Sequence, residues 1–486
     1  MAIRTVETLT AGRWVGGEQW IEVGNPADTR TPVARVPALT AAETTEVYAA
    51  AAAAAPGWRR TSPFRRAEIL RAAAGLLRER LADIAADVIA ENGKTTAEAR
   101  GEVAKAADFL EYYAGLAREP YGSLLHDARP DTVTHVQREP VGVVLAITPW
   151  NDPLLTPARK LAPALMSGNA VVLKPASETP LSALHLARAL HDAGAPGGVV
   201  NVVTGRVGEI GDALLGDERI AAVTFTGSNE VGEQLRATLA HRNVRFQAEL
   251  GGKNATVVLA DADLPTAVTS IVAAGFGQAG ERCTATSRVI VDRSVHDDVV
   301  KLLTERLGLL RLGDGHDEAT TMGPLVSAGH RDSVLGHLRA AQDQGATLLT
   351  GGGTPGGELS NGCFLEPTVL TDVEPRMDIW RQEVFGPVVV VCSVSGLDEA
   401  IAAVNDSDFG LAAALFTSDL TATYRFIDEV DCGQVAVNTT TSGWDVHHPF
   451  GGFRDSGSAF KEQGTEALHF YTRVKTVAVH LVPRRG

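Results

Sequence analysis

Cysteines and long apolar runs are scarce in this 486-residue chain, and each scarcity excludes a class of protein. The four cysteines, Cys283, Cys363, Cys392 and Cys432, lie far apart and form no CxxC pair. A disulfide framework and a cysteine zinc site are therefore disfavoured, and a reducing cytoplasm is expected. No apolar run approaches the roughly 20 residues of a membrane-spanning helix. Residues 1–7 lack the basic and apolar regions of a signal peptide.

Positive charge is also in short supply. Lys and Arg number 44 against 59 Asp and Glu, which gives a formal net charge of −15 at pH 7. This balance disfavours nucleic acid and anionic membranes as partners and leaves a small molecule as the expected one. The hydrophobic share of 44% and the charged share of 21% are ordinary for a globular protein. The chain is too long for one core, so two or three domains are expected.

The amino-terminal part of the sequence predicts helices. A capping box at residues 40–43 opens a helix that is expected to stop at Pro56. Ser62 and Pro63 are an N-cap and a first helical residue, and the apolar positions that follow continue at helical spacing up to Gly93. A third helix is expected over about 97–118.

Further along, short apolar runs alternate with helices. The runs are residues 141–147, 170–173, 199–203 and 221–225, and the helices between them include 180–193 and 208–215. Strands without polar alternation are typical of a parallel sheet buried on both faces, so a doubly wound α/β fold is predicted. A second block of this kind covers 252–438, with strands near 289–291 and 388–391. Residues 470–481 alternate like a strand that completes a sheet elsewhere, in this chain or in a partner subunit.

One cysteine and one glutamate lie in glycine-containing segments that suit nucleophilic catalysis. Cys283 is in GERCT (residues 280–284), and Glu249 is in ELGGK (residues 249–253). A thiolate can attack a carbonyl, while a nearby carboxylate can take a proton from the thiol or from water. Neighbouring glycines let backbone N–H groups approach a developing oxyanion. A lone cysteine among small residues is more often an inert buried side chain, so neither segment decides the function alone.

Two strand ends carry the signs of a nucleotide site. The segment FTGS (residues 225–228) follows a buried run and leads to Gly232, and such a turn lets phosphates approach a helix amino end. KPAS (residues 174–177) ends another buried run and places Lys174 where it could meet a ribose or a phosphate. A tight turn without a ligand and a solvated surface lysine are the competing interpretations of these two segments.

Together the segments resemble the aldehyde dehydrogenase superfamily, in the family's order and over nearly the whole chain. The motifs are TPWN (148–151), KPAS (174–177), FTGSNEVG (225–232), ELGGK (249–253), GERCT (280–284), EVFGP (383–387) and PFGG (449–452). Within the superfamily the chain looks most like the α-ketoglutaric semialdehyde and succinic semialdehyde dehydrogenase branches. The resemblance implies an α/β fold with a doubly wound cofactor-binding domain, an α/β catalytic domain and a small oligomerisation sheet.

The implied boundaries assign four groups of residues. These are 1–121 with 141–250 for the cofactor-binding domain, 251–449 for the catalytic domain, 122–140 with 469–486 for the oligomerisation sheet, and 450–468 for a return to the cofactor domain. The same resemblance implies a homodimer or homotetramer.

The resemblance also implies a role for each matching residue. Cys283 would be the nucleophile, Asn151 and the backbone N–H of Cys283 would hold the oxyanion, and Glu249 would activate the hydrolytic water. Because members that acylate coenzyme A usually lack this glutamate, hydrolysis to a free acid is expected. The residues implied at the cofactor are Ile147, Thr148, Pro149, Trp150, Lys174, Ala176, Ser177, Gly208, Phe225, Thr226, Gly227, Ser228, Gly232, Leu250, Gly251, Glu383 and Phe385.

One departure from the family pattern bears on the cofactor. Strongly NAD-dependent members carry a glutamate where this chain has Ser177, and Glu178 is one position off. A carboxylate there repels a 2′-phosphate, and a serine removes that repulsion. The cofactor is therefore expected to be NADP or NAD, with NADP accepted and a candidate for preference. No metal is expected, since adjacent side chains such as His447 and His448 should face opposite ways.

The substrate is implied by residues of the tunnel, namely Arg159, Asp152, Trp444 and Phe450. Succinic semialdehyde dehydrogenases have an arginine matching Arg159, but their second carboxylate-binding arginine falls at Gly277 here. Arg159 is thus predicted as the one basic side chain in the tunnel, with a structural ion pair as its alternative role. The loop 439–448 resembles the α-ketoglutaric semialdehyde dehydrogenase branch.

These features predict a polar aldehyde, carboxylated or oxygenated, as the substrate. A sugar-type aldehyde such as an anhydro-sugar is the alternative within the class. A cofactor-independent cysteine esterase and a non-catalytic structural protein are the alternatives from other classes.

Overall fold

A computed structural model describes residues 3–119 and 121–482 of the chain. The strands are β1 (Arg4–Thr5), β2 (Thr8–Thr10), β3 (Arg13–Val15), β4 (Trp20–Val23), β5 (Ala34–Pro37), β6 (Gly122–Leu125), β7 (Thr132–Pro140), β8 (Val143–Ile147), β9 (Ala170–Lys174), β10 (Val200–Val202), β11 (Ile220–Thr226), β12 (Arg245–Glu249), β13 (Ala255–Val258), β14 (Arg288–Asp292), β15 (Thr347–Thr350), β16 (Thr368–Thr371), β17 (Val388–Val394), β18 (Phe409–Gly410), β19 (Ala412–Phe416), β20 (Gln434–Val437), β21 (Phe453–Arg454) and β22 (Thr472–His480).

The α-helices are α1 (Ala41–Arg60), α2 (Pro63–Glu79), α3 (Leu81–Asn92), α4 (Thr96–Gly115), α5 (Leu155–Met166), α6 (Pro180–Asp192), α7 (Val207–Gly216), α8 (Asn229–Leu239), α9 (Leu264–Phe276), α10 (His296–Leu307), α11 (Ala328–Asp343), α12 (Asp378–Arg381), α13 (Leu397–Asn405), α14 (Leu420–Glu429) and α15 (Ala467–Tyr471). Short 3₁₀ turns cover Leu116–Arg118 and Gly357–Asn361, and Gly277–Gly280 forms a turn with left-handed backbone angles.

The first large sheet has five parallel strands in the order β10-β9-β8-β11-β12. Its two faces bury alternate residues of the same strands. Val143 and Leu145 pack in one core with α1 and α7, while Val144 and Ala146 pack in the other core with α5 and α6. Helices on both faces explain why these strands are continuously apolar. The predicted doubly wound sheet is confirmed.

The second large sheet has seven strands in the order β15-β16-β17-β14-β13-β19-β20, parallel except for β15. Its strands bury valine, isoleucine and leucine, for example Val257, Ile290 and Val390. The segment that carries Cys283 runs between α9 and β14, and Glu249 is the last residue of β12 in the first sheet. Glu249 therefore belongs to the first sheet, while Cys283 lies in a loop that leads into the second.

The carboxyl-terminal strand β22 pairs antiparallel with β7 of the same chain over nine residue pairs, and β6 lies on the other side of β7. The terminal strand that the alternating pattern predicted therefore pairs within its own chain. Val474 and Leu124 are exposed on this sheet. The assigned segments 1–121 and 469–486 include residues 1, 2, 120 and 483–486, which lie outside the described residues. Within the described ranges, each helix is too short or too polar to span a bilayer.

Several predicted boundaries in the helical region were wrong. α1 continues through Pro56 to Arg60, because Pro56 is exposed while Trp58 beyond it is buried and donates its indole N–H to the Leu165 carbonyl at 3.1 Å. The helical pattern expected to run from Pro63 to Gly93 is split into α2 and α3 at Arg80, whose φ is −94° and ψ is 14°.

Two further boundaries shift at the ends of elements. The third predicted helix ends at Gly115 and finishes as a 3₁₀ turn. Residues 470 and 471 belong to α15 instead of the terminal strand, and Phe470 and Tyr471 are buried there.

Candidate active site

Two cavities meet at Cys283. One has a volume of about 310 Å³ and is lined by residues from the first sheet's strand ends and from α11, and the other has about 360 Å³ and is lined mainly by α4, α5 and the segment 442–450. Cys283, Asp152 and Arg159 line both cavities. The thiol is thus reachable from two sides, which suits a reaction between two bound molecules.

The backbone before Cys283 is held in an unusual shape. Gln278, Ala279 and Gly280 all have left-handed backbone angles, with φ of 52°, 52° and 72°. Gly280 is required because a Cβ there would lie 2.2 Å from the Gly386 carbonyl oxygen. Asn254 donates its side-chain amide to the Cys283 carbonyl at 2.7 Å. The nucleophile segment is therefore fixed on both sides by contacts within the second sheet's domain.

The surroundings of the Cys283 thiol favour its neutral form. Burial raises its pKa well above the usual range, the charge of Glu249 adds to the rise, and Arg159 opposes it. The Asn151 amide nitrogen donates to the Glu281 carbonyl at 2.9 Å. This contact leaves the second N–H of the same amide available, and Asn151 itself lines the first cavity.

Glu249 does not line either of the two cavities. Its carboxyl group is almost fully buried, and its Oε1 has no hydrogen-bond partner within the described structure. Burial raises the pKa of Glu249 well above the usual range, and the neighbouring Glu462 raises it further. Glu462 in turn accepts a hydrogen bond from Lys160. Glu249 therefore lies in a buried charged cluster beside Cys283 and not in the open path to it.

The first cavity gathers many of the residues predicted at the cofactor. Those that line it are Pro149, Trp150, Thr226, Gly227, Ser228, Leu250, Gly251, Glu383 and Phe385. Glu383 accepts a hydrogen bond from the Gly252 N–H at 2.9 Å, and burial raises the pKa of Glu383 to about 7. A Cβ on Gly251 would lie 2.1 Å from the Glu383 carboxylate, so a larger residue there would displace that carboxylate from its present position.

The remaining predicted cofactor residues lie outside the lining of this cavity, most of them at the ends of β8, β9 and β11. They are Ile147, Thr148, Lys174, Ala176, Ser177, Gly208, Phe225 and Gly232. Phe225 packs its ring against Gly227, and Gly232 packs against Leu250, where added Cβ atoms would lie 2.5 Å and 2.6 Å from those side chains. Gly208 is exposed at the start of α7.

Lys174 is buried at the end of β9, where its ammonium group donates to the Pro175 carbonyl at 2.6 Å. Burial lowers the pKa of Lys174 to about 8, against the opposing charge of Glu178. Ser177 is half-buried beside it, while Glu178 is exposed. A buried lysine with a single carbonyl partner suits a polar ligand at this strand end, so the residues present fit a nucleotide cofactor.

Sequence reasoning missed the helix face that completes the first cavity. His330, Ser333 and His337 of α11 line it. His330 donates Nε2–H to the Phe385 carbonyl at 2.7 Å and packs edge-on against Trp150, with ring centroids 5.1 Å apart. Their spacing of three and four residues places them on one helix face, which was the available signal.

The second cavity contains all four residues predicted at the substrate: Arg159, Asp152, Trp444 and Phe450. The prediction that Arg159 is the one basic side chain in the tunnel was wrong, because Arg282 and Lys105 line the same cavity. Arg159 lies 3.6 Å from the Glu462 carboxylate and 4.9 Å from the Phe450 ring centroid. Lys105 pairs with Asp445 at 2.7 Å.

Arg282 differs from the other two basic residues of this cavity. Its Nε donates to the Gln278 side-chain carbonyl, and it makes no ion pair with a carboxylate among the residues that the structure describes. Its Nη1 lies 3.8 Å from the place where a Cβ on Gly277 would be. Arg282 thus fills the space that a longer side chain at 277 would occupy.

The two adjacent histidines do not face opposite ways as expected. The ring centroids of His447 and His448 lie 4.2 Å apart, because both belong to an irregular loop and not to a strand. Across the described ranges, no group of three or more His, Cys, Asp and Glu side chains is arranged to hold a metal ion.

Comparison with known proteins decides the family. The aldehyde dehydrogenase family model matches residues 14–477. This chain belongs to the aldehyde dehydrogenase family. Among similar proteins, the α-ketoglutarate semialdehyde dehydrogenase of Haloferax volcanii is 45% identical over 471 residues, which cover 96% of this chain and 97% of that protein.

Solved structures of aldehyde dehydrogenases have nearly the same fold as this chain. Betaine aldehyde dehydrogenase from Staphylococcus aureus in complex with NAD⁺ matches with a TM-score of 0.95 and 33% identity, over 99% of this chain and 96% of that one. An NADP-dependent enzyme from E. coli matches with a TM-score of 0.94 and 36% identity, over 99% and 98%. The family resemblance and the fold class expected from the motifs are confirmed.

Proposed function

We propose that this aldehyde dehydrogenase oxidises a semialdehyde bearing a distal carboxylate to the free acid, with NAD or NADP as the cofactor. The observation that carries this substrate class is Arg282, a cation on the wall of the second cavity next to Cys283 that lacks a carboxylate partner within the described residues. A cation at a partly buried site is stabilised when an anion pairs with it. A ligand carboxylate would supply that anion.

The likeness to semialdehyde dehydrogenases supports the same class. Names of relatives alone do not separate the candidates, since betaine aldehyde dehydrogenases from Brucella are 39% identical over 436 residues. Betaine aldehyde is a cation, and the Arg282 guanidinium, which makes no ion pair with a carboxylate among the described residues, would repel it. The charge of Arg282 therefore favours an acidic substrate over a cationic one. It also favours a carboxylated aldehyde over a neutral sugar-type aldehyde.

The proposed chemistry begins at Cys283. The Cys283 thiol passes its proton to Glu249 through water, and the thiolate attacks the aldehyde carbon to form a thiohemiacetal. The oxyanion of this intermediate accepts hydrogen bonds from the second N–H of Asn151 and the backbone N–H of Cys283. A nicotinamide cofactor, when held at the first cavity, would supply the hydride acceptor that this oxidation needs. The resulting thioester is cleaved by a water whose proton passes to Glu249, which releases the carboxylic acid and restores the thiol.

For this role Glu249 must be ionised. Its buried position and raised pKa imply that the entry of water beside it precedes hydrolysis. The cofactor would be held by Trp150, Ser228, Glu383 and Phe385 at the first cavity and by Lys174 at the strand end. The first cavity, with its volume of about 310 Å³ beside Cys283, would have no purpose in a cofactor-independent esterase, so that alternative is not favoured.

The test is a charge series of aldehydes with the purified enzyme. Succinic semialdehyde, α-ketoglutaric semialdehyde, a neutral aldehyde of similar length and betaine aldehyde are compared by kcat/KM with NAD⁺ and with NADP⁺, following absorbance of the reduced nicotinamide. We expect the acidic aldehydes to be preferred over the neutral one and betaine aldehyde to be poorest. Equal or higher kcat/KM for betaine aldehyde would refute the substrate class.

Two variants locate the source of the preference. Arg282→Leu should lose roughly 10- to 100-fold in kcat/KM for acidic aldehydes and much less for the neutral one, as for a lost charge-assisted contact. Lys105→Met is the charge-matched comparison, because the charge of Lys105 is already neutralised by Asp445. It should change the ratio of acidic to neutral substrate far less than Arg282→Leu does.

A further inference from the structure

A chain of side chains leads from the amino end of α4 to Arg282. Lys94 is buried just before the helix and donates to Glu102 at 2.5 Å and to Asp152 at 2.8 Å. The same Asp152 oxygen accepts from the Gln278 amide nitrogen at 3.2 Å, and the Gln278 amide oxygen accepts from Arg282 Nε. One oxygen of the Asp152 carboxylate is thus engaged by both Lys94 and Gln278.

The chemistry of these partners fixes the direction of the chain. Asp152 is acceptor-only when ionised, and the guanidinium is donor-only. The Gln278 amide can therefore satisfy both neighbours in one orientation only, with nitrogen toward Asp152 and oxygen toward Arg282. Although burial alone would raise it, the charge of Lys94 lowers the pKa of Asp152 to about 2, so the acceptor stays ionised at neutral pH.

The backbone of Gln278 is held from the same helix. Its N–H donates to the Glu98 carboxylate at 2.6 Å, and Glu98 also closes the capping box with Thr95 at the start of α4. Gln278 adopts a left-handed φ of 52°, a conformation costly for a residue with a side chain. Backbone and side chain of Gln278 are therefore both tied to α4, and the amide arrives at Arg282 in a defined place.

We propose that Gln278 and Asp152 are positioning residues that hold the Arg282 guanidinium toward the substrate, so that carboxylate recognition comes from residue 282 while Gly277 leaves the room for it. This inference rests on the proposed substrate class. Nε is bound by Gln278, while the two terminal nitrogens of Arg282 have no hydrogen-bond partner among the described residues and are available for a two-point contact with a carboxylate. Asp152, which the family resemblance implied at the substrate, acts through Arg282 in this account.

The experiment combines variants of Gln278 and Arg282 in a double-mutant cycle. Gln278→Asn tolerates the left-handed backbone but is too short to span Asp152 and Arg282. Gln278→Leu removes both hydrogen bonds at nearly constant size. Both single variants, Arg282→Leu and the double variants are measured by kcat and KM for succinic semialdehyde and for a neutral aldehyde of equal length.

We expect Gln278→Asn and Gln278→Leu to raise KM for the acidic aldehyde about tenfold, the effect of one hydrogen bond to a charged group, with kcat and the neutral aldehyde nearly unchanged. When Arg282→Leu is already present, the Gln278 substitutions should have almost no further effect on KM for the acidic aldehyde. Asp152→Asn keeps an acceptor for Gln278, so its KM for the acidic aldehyde should lie between those of wild type and Gln278→Leu.

A loss of equal size on acidic and neutral aldehydes, or one that persists in the Arg282→Leu background, would overturn the positioning role. The substrate class fails separately. If Arg282→Leu shows no selective loss on acidic aldehydes, the proposed substrate recognition is wrong. If Arg282→Leu is selective while the Gln278 variants match wild type, only the positioning role is wrong.

Discussion

Replacing Arg159 with leucine separates its two candidate roles, and the structure favours the structural one. Arg159 is buried, with Nη1 3.6 Å from the Glu462 carboxylate and its guanidinium over the rings of Phe450 at 4.9 Å and Phe109 at 5.9 Å. A side chain with these contacts already has both a counter-charge and packing partners. We therefore expect Arg159→Leu to lower kcat/KM for acidic, neutral and cationic aldehydes by similar factors.

The size of the effect follows from the charges around Glu462. At 3.6 Å and an effective dielectric near 20, two unit charges attract by about 4–5 kcal/mol, which is an upper limit for the pair. Lys160 remains bound to Glu462 after the substitution, so the carboxylate keeps one cation. The net loss of unfolding free energy should then be about 1–3 kcal/mol, below the value for a buried charge left wholly unpaired.

The same substitution should shift the pH profile. The positive charge of Arg159 lowers the pKa values of Cys283 and Glu249, although burial raises both overall. Without Arg159 both pKa values rise further, so the ionised forms that the reaction needs appear at higher pH. Activity of Arg159→Leu should therefore recover toward alkaline pH relative to wild type.

Three measurements check this account: the thermal midpoint, kcat/KM across the charge series, and the pH dependence of kcat/KM. A thermal midpoint lowered by a few degrees with a uniform kinetic loss supports the structural role. An unchanged midpoint with a loss confined to acidic aldehydes would refute it and return Arg159 to the substrate.

Other predictions concern the hydrolytic step and the cofactor. Glu249→Gln should keep a burst of reduced nicotinamide but lose steady-state turnover, and unchanged turnover would mean that another base acts. Ser177→Glu should raise KM for NADP⁺ far more than KM for NAD⁺. The introduced carboxylate and the 2′-phosphate would repel each other by up to about 4 kcal/mol at ~4 Å and an effective dielectric near 20. If the ratio of kcat/KM with NADP⁺ to kcat/KM with NAD⁺ changes by less than about threefold, Ser177 lies away from the 2′-phosphate. Because the pKa of Lys174 is about 8, its charge is lost as pH rises through that value, so NADP⁺ affinity should fall there. Binding of NADP⁺ near pH 8 should be accompanied by proton uptake at Lys174, which calorimetry detects as a binding enthalpy that depends on the buffer. Lys174→Met should abolish this proton uptake.

The strands of the first sheet were predictable because burial on both faces leaves a simple pattern. The run at 170–173 and the strand β9 (Ala170–Lys174) differ by one residue. The break at Arg80 was not predictable from periodicity, since apolar residues continue at helical spacing on both sides of it. The passage of α1 through Pro56 depends on the burial of Trp58 against α5, a tertiary contact that outweighs the local cost of proline.

At the site, motifs identified Cys283, Glu249 and Asn151 as candidates but said little about the side chains between them. The direction of Arg282 depends on the left-handed backbone at 278–280, which no residue type in that segment except glycine signals. The charged cluster around Glu249 depends on Glu462, which is far away in the sequence and reaches the site through the return of the chain after Phe450. Such groups become visible only when the fold brings distant segments together.

The two arginines of the second cavity show why residue type and position in a motif do not fix a role. Arg159 matches the position expected of a carboxylate ligand, yet the protein supplies its partner through Glu462. Arg282 matches no expected position, yet its terminal nitrogens lack a carboxylate within the described structure. A glycine at 277 removes one candidate ligand and at the same time makes space for another. Recognition of a charged substrate in this tunnel therefore depends on the cation that has no carboxylate partner among the described residues, and removal of Arg282 should change substrate choice.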